Sequence, residues 1–76
     1  MEIVNNTNDA FVYMITATDL QHGGNLDPGQ TADEPDFDDQ QNVTVNFYST
    51  TDNETFEVNI PQTGEDMSVT IGIYFE

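Results

Sequence analysis

The sequence predicts an all-β domain: a small antiparallel sandwich or half-open barrel of five to six strands, with a C-terminal three-strand meander. Three observations point there. Apolar residues fall in short alternating runs rich in Val, Ile, Phe and Tyr, the period of a half-buried strand. No window keeps apolar residues at helical spacing for three turns, as an amphipathic helix would require. Clusters of Asn, Asp, Gly and Pro separate the runs and read as turns.

Residues 2–5 are the first candidate strand, closed by the polar cluster Asn6-Thr7-Asn8-Asp9. As an unpaired edge it would be free to join a second copy of the chain in a homodimer. Residues 10–18 follow, with Phe11, Tyr13, Ile15 and Ala17 on one face and Val12, Met14 and Thr16 on the other. Two largely apolar faces suit a central strand covered on both sides. Residues 19–30 hold Gly23-Gly24 and Asp27-Pro28-Gly29, a loop signal and a turn signal. Three strands close the chain. Residues 42–49 alternate Val43, Val45 and Phe47 against Thr44, Asn46 and Tyr48. Residues 54–60 alternate Phe56, Val58 and Ile60 against Glu57 and Asn59. Residues 67–75 alternate Met67, Val69, Ile71, Ile73 and Phe75 against Ser68, Thr70, Gly72 and Tyr74. Their short connections predict the antiparallel meander.

Length and composition bound what such a domain can do. Seventy-six residues make one acidic β domain, 1–76, near the lower limit for a self-sufficient core. With no cysteine, neither a disulfide nor a thiolate metal site supplements that core. The cysteine-free composition, with no basic N-terminal region leading into an apolar run, predicts a cytoplasmic protein. The three Asn-x-Thr triplets, at Asn5, Asn42 and Asn53, are the chance product of an Asn- and Thr-rich chain.

Charge is the most unusual property. Fifteen aspartates and glutamates stand against no lysine or arginine, where a chain of this length ordinarily carries on the order of nine basic residues. Only the N-terminal amine and a protonated His22 can pair with a carboxylate. A surface of one sign speaks of partners and solvent. It disfavours direct nucleic-acid binding, which rests on cations, repels nucleotides for the same reason, and excludes an anionic membrane surface unless a divalent cation bridges.

The acids concentrate at Asp33-Glu34-Pro35-Asp36-Phe37-Asp38-Asp39, five carboxylates in seven residues. In an extended segment Glu34, Asp36 and Asp38 face one way and Pro35 and Phe37 the other. Alternate carboxylates then stand roughly 6.4–6.8 Å apart, close to the roughly 6.8 Å of two base steps along one DNA strand. Such a row imitates phosphates while Phe37 anchors it to the core. Further acids, Asp52, Glu54, Glu57, Glu65 and Asp66, fall at hairpins and outward strand positions and extend the partner-binding surface. The competing readings are a solvated loop and a calcium loop. Asp36, Asp38 and Asp39 offer the hard oxygens calcium takes, but the glycine and terminal glutamate of an EF-hand are missing, so no metal or cofactor is assigned.

No constellation for catalysis emerges. His22, the only histidine, reads as an exposed loop residue, and one histidine without a cysteine or a serine elbow builds no triad. Tyr48 and Tyr74 lie at outward positions where tyrosine often contacts protein partners. Small size, acidity and the 33–39 cluster resemble the convergent group of phage-encoded nucleic-acid mimics, anti-CRISPR proteins among them. The resemblance lies in composition and in that cluster. It implies a non-enzymatic DNA mimic acting by protein–protein interaction, an inhibitor of a basic nucleic-acid-binding protein in the host cytoplasm. The alternative is a salt-adapted or extracellular β-sandwich module for binding or assembly, with calcium as its ligand.

Overall fold

The structure, a computed structural model, describes residues 1–75. In chain order it contains β1 (Glu2–Val4), β2 (Phe11–Thr16), β3 (Gln21–Leu26), β4 (Thr31–Asp33), a 3-10 turn (Pro35–Phe37), β5 (Gln41–Ser49), β6 (Thr55–Gln62), β7 (Ser68–Thr70) and a single helical turn, α1 (Ile71–Tyr74). The fold is mostly β, with two sheets and no closed barrel. One sheet has four antiparallel strands in the order β3-β2-β5-β6. The other has three, in the order β4-β1-β7, antiparallel between β1 and β4 and parallel between β1 and β7.

The sheets share one core. Ile3 and Val69 from the mixed sheet meet Phe11, Tyr13, Ile15, Val43, Val45 and Phe47 from the antiparallel sheet, all buried. Met1, Phe37 and Ile71 reach the same core from outside the strands. Phe11 stands edge-on to Phe47, Phe56 and Phe75 at 6.4, 6.2 and 5.1 Å. Phe56 stacks on Phe47 at 4.9 Å and on Phe75 at 5.8 Å. Such aromatic pairs contribute about 0.5–1.5 kcal/mol each beyond their burial, which matters in a chain this small.

The C-terminal meander is not formed. β5 and β6 pair as a hairpin, but β7 leaves that sheet and runs parallel to β1. Residues 67–75 do not continue as a strand either: the chain coils at Ile71. A strand and a helix both keep residues 71 and 75 on one side, so alternation could not separate them. The coil keeps Ile71 buried and Phe75 on Phe11 but turns Ile73 out to 74% exposure. It is held by the Gly72 N–H, which donates to Asn6 Oδ1 at 2.7 Å, an approach that a Cβ at Gly72 would block.

Three other expectations change. Residues 21–26 form a strand, in which Gly23 lies too close over Tyr13 for a side chain while Gly24 rests at ordinary contact distance on its ring. A Cβ on Gly23 would sit 2.9 Å from the Tyr13 carbonyl oxygen, and one on Gly24 3.5 Å from its ring. β1 is no edge; it is hydrogen-bonded on both sides, so residues 2–5 are not free to join a second copy. β2 is central in its sheet but covered on one face only, leaving Val12 and Met14 exposed.

Asn5 joins the two sheets. Its Nδ2 donates to the Asp9 and Leu26 carbonyls at 2.7 and 2.9 Å, while Oδ1 accepts from the Thr7 N–H and hydroxyl at 3.0 and 2.6 Å. The residue is fully buried with every side-chain group satisfied. Asn5→Ala strands those partners and should cost about 2–3 kcal/mol, read as a lower urea midpoint. An unchanged midpoint would show that the connection after β1 does not depend on this side chain.

Candidate functional site

The acidic segment starts where β4 leaves the mixed sheet. The register sets Asp33 opposite Glu2, and the next N–H, of Glu34, donates to the Met1 carbonyl at 2.8 Å. Pro35 then opens the 3-10 turn, its fixed φ suiting a first helical position. Phe37 closes the turn, fully buried as an anchor. Asp39 takes φ 54°, left-handed backbone that Asp tolerates better than most residues. Thr63 holds the far end: its hydroxyl donates to the Phe37 carbonyl and accepts from the Gln40 N–H at 2.8 Å, and its N–H donates to the Gln40 carbonyl at 2.8 Å.

This path overturns the extended geometry. Glu34 does not share an outward face with Asp36 and Asp38; it turns into the protein and is buried. Its Oε2 accepts a short hydrogen bond from the Tyr13 hydroxyl. Its Oε1 lies 2.7 Å from His22 Nδ1, a bond donated by His22 when the proton sits on that nitrogen. The other ring nitrogen is 3.7 Å from Asp36 Oδ2. His22 is thus not a free loop residue. It stands on β3, partly covered, with its ring edge-on to Phe37 at 5.2 Å.

The second cation is the terminal amine. It is buried, pairs with Asp38 and lies 3.4 Å from the Glu65 carbonyl. Both cationic groups therefore engage the same segment.

The ten acids singled out from sequence fall into two groups. Asp33, Glu34, Asp36, Asp38, Asp39, Glu65 and Asp66 gather around the N-terminus, tied there by the contacts above and by the Glu2 N–H bond to the Met67 carbonyl at 2.9 Å. Of these, Glu34 is buried, Asp38 is half-buried and the rest are exposed. Asp52 and Glu54 sit at the β5–β6 hairpin, at the other end of β5, and Glu57 lies midway along β6. All three are exposed. The nine residues of β5 put the Asp52 and Glu54 hairpin about 27 Å of strand from the acidic segment, with Glu57, opposite Asn46, between them. Sequence reasoning missed Glu2, which adds an exposed carboxylate directly across from Asp33. Among the described residues, no group of three or more His, Asp or Glu is placed to hold a metal ion.

A scan against protein-family models and searches of curated proteins and of solved structures return no match.

Burial pushes the Tyr13 hydroxyl well above the usual tyrosine range, helped by its hydrogen bond to Glu34 and by that carboxylate's negative charge. The folded state then holds a proton that the unfolded chain releases near pH 10, at about the ordinary tyrosine value. The stability this adds is complete below that pH and is lost as pH rises toward the folded value. Above about pH 10 the native protein should lose up to about 1.4 kcal/mol per pH unit from this group. Tyr13→Phe should lack that component. Equal slopes of stability against pH in the two proteins, from chemical denaturation, would contradict this.

Proposed function

We propose that this chain is a non-catalytic acidic inhibitor that imitates nucleic-acid phosphates and competitively blocks a basic nucleic-acid-binding protein, a decoy of the phage and anti-CRISPR type acting in the host cytoplasm. One observation carries the reading. With the terminal amine paired to Asp38 and His22 set against Glu34, the described residues keep eleven exposed acids: Glu2, Asp19, Asp27, Asp33, Asp36, Asp39, Asp52, Glu54, Glu57, Glu65 and Asp66. The body is 31 Å long, so the eleven exposed acids amount to about one charge per 3 Å. Duplex DNA carries one per about 1.7 Å of axis. The likeness lies in a single sign of charge spread along a body as long as roughly nine base pairs, at a little over half the linear charge density of the duplex.

The mechanism needs no reaction. The exposed carboxylates accept charge-assisted hydrogen bonds from lysines and arginines that otherwise hold phosphate, and the body fills the groove. Binding also relieves the decoy's own repulsion, since its surface has no lysine or arginine to do so. Direct binding to nucleic acid would instead add to that repulsion.

Within the segment, Glu34 and Asp38 hold the fold, so partner contact falls to Asp33, Asp36 and Asp39 with Glu65 and Asp66 beside them. The test is competition against a labelled duplex or RNA on a panel of basic nucleic-acid-binding proteins. The native chain should displace the nucleic acid from at least one. Changing Asp33, Asp36 and Asp39 together to Asn should weaken displacement roughly ten-fold, the sum expected of three exposed ion pairs. Intact displacement by the triple variant would move the contact elsewhere. No displacement across the panel, with a large rise in Tm at micromolar calcium, would favour the salt-adapted assembly module.

A further inference from the structure

We propose that the outer face of the four-stranded sheet is a second contact surface: an apolar seat for an aromatic or aliphatic side chain carried by a basic protein partner. It rests on the preceding reading for the partner's charge, but on separate residues for its own contact.

The register lays this face out in three rows across β3, β2, β5 and β6. They are Asn25-Val12-Tyr48-Thr55, Gly23-Met14-Asn46-Glu57 and Gln21-Thr16-Thr44-Asn59. In a chain where one residue in five is acidic, these positions hold a single carboxylate, Glu57. The outward face of an antiparallel sheet is ordinarily its polar one. Here Val12, Met14 and Tyr48 are exposed at 38, 45 and 40% and adjoin one another, Val12 directly opposite Tyr48. They border a shallow hollow of about 500 Å³ that also touches Asn46, Phe47 and Thr55.

Tyr48 is held in place, its hydroxyl donating to Asn53 Oδ1 at 2.6 Å. A fixed aromatic beside an open apolar hollow is the arrangement in which interface anchors concentrate. Charge selects the occupant. Asp52 and Glu54 flank Tyr48 through the hairpin, and Glu57 stands on the neighbouring row. A second copy docked face to face would bring its own three carboxylates against these, and like charges across an interface are costly. A partner with an apolar side chain among lysines or arginines meets both features at once. The acid-rich end then supplies charge attraction, and the sheet face supplies contact that salt does not screen.

Two pentapeptide probes separate the two surfaces: five lysines, and the same peptide with tryptophan at its centre. The tryptophan peptide should bind at least five-fold tighter, and the preference should widen as salt rises. In methyl and amide NMR its addition should shift Val12, Met14 and Tyr48, while Ile73, exposed elsewhere, stays still. The variant Val12→Thr with Met14→Gln and Tyr48→Thr should lose the preference and keep its affinity for pentalysine. Equal affinity of the two peptides, or a preference that survives the variant, overturns the proposal. So does a concentration-dependent dimer that buries the Val12 and Met14 methyls, which would make a second copy the occupant. Should the variant not fold, the shifts in the native protein decide. Failure to displace nucleic acid from basic proteins, with the tryptophan preference intact, would instead count against the decoy reading alone.

Discussion

The ion pair between the terminal amine and Asp38, with His22 against Glu34 four positions earlier in the segment, fixes the most acidic stretch of the chain to its core. A run of five carboxylates in seven residues would ordinarily repel itself into a solvated loop. Here one of the five is buried against Tyr13 and His22, another faces the amine, and Phe37 is sunk between them. The remaining three, Asp33, Asp36 and Asp39, are thereby held at set positions rather than on a tether. A decoy needs that, because its discrimination among basic grooves comes from where charges sit.

The same constraint shapes everything outside the segment. With the terminal amine buried against Asp38, no exposed acid has a lysine or arginine on its own chain to offset it. Mutual repulsion is then a standing load on a domain of this size, set against a net stability of about 5–15 kcal/mol at most. The aromatic cluster of Phe11, Phe47, Phe56 and Phe75 and the satisfied Asn5 hub oppose it. The face around Val12, Met14 and Tyr48 carries a single carboxylate, Glu57, and offers apolar contact instead. Charge and apolar contact are thus segregated on one small body.

Much of the fold was legible in the sequence, and the exceptions have physical causes. β5 and β6 alternate cleanly because one face is buried and the other is wet, whereas β2 is apolar on both faces although Val12 and Met14 stay exposed. β3 is hidden because Gly23-Gly24 signals a turn by itself; the Tyr13 carbonyl against Gly23 explains why glycine belongs at that position of the strand. The final strand misled because residues 71 and 75 share a side in strand and helix alike, and the deciding contact, Gly72 to Asn6, lies 66 residues away. Phe37 as the anchor of the acidic segment was correctly read. The extended row of Glu34, Asp36 and Asp38 does not form, since Glu34 turns to Tyr13 and His22 and Asp38 turns to the amine. One signal does point there: the terminal amine and the lone histidine are the groups able to pair with a carboxylate in a chain without lysine or arginine, and residues 33–39 are its densest run of acids.

With no lysine or arginine present and the terminal amine already paired to Asp38, the repulsion among the exposed acids is unrelieved. Thermal melting at neutral pH across sodium chloride tests it most directly, as screening lengths shrink from about 30 Å at 0.01 M to about 3 Å at 1 M. The account predicts a Tm that climbs steadily over that range, with most of the gain at the low-salt end where the acids first lose sight of one another. A Tm that stays level or falls would mean that the two internal pairs, not the exposed acids, dominate the electrostatics of the fold.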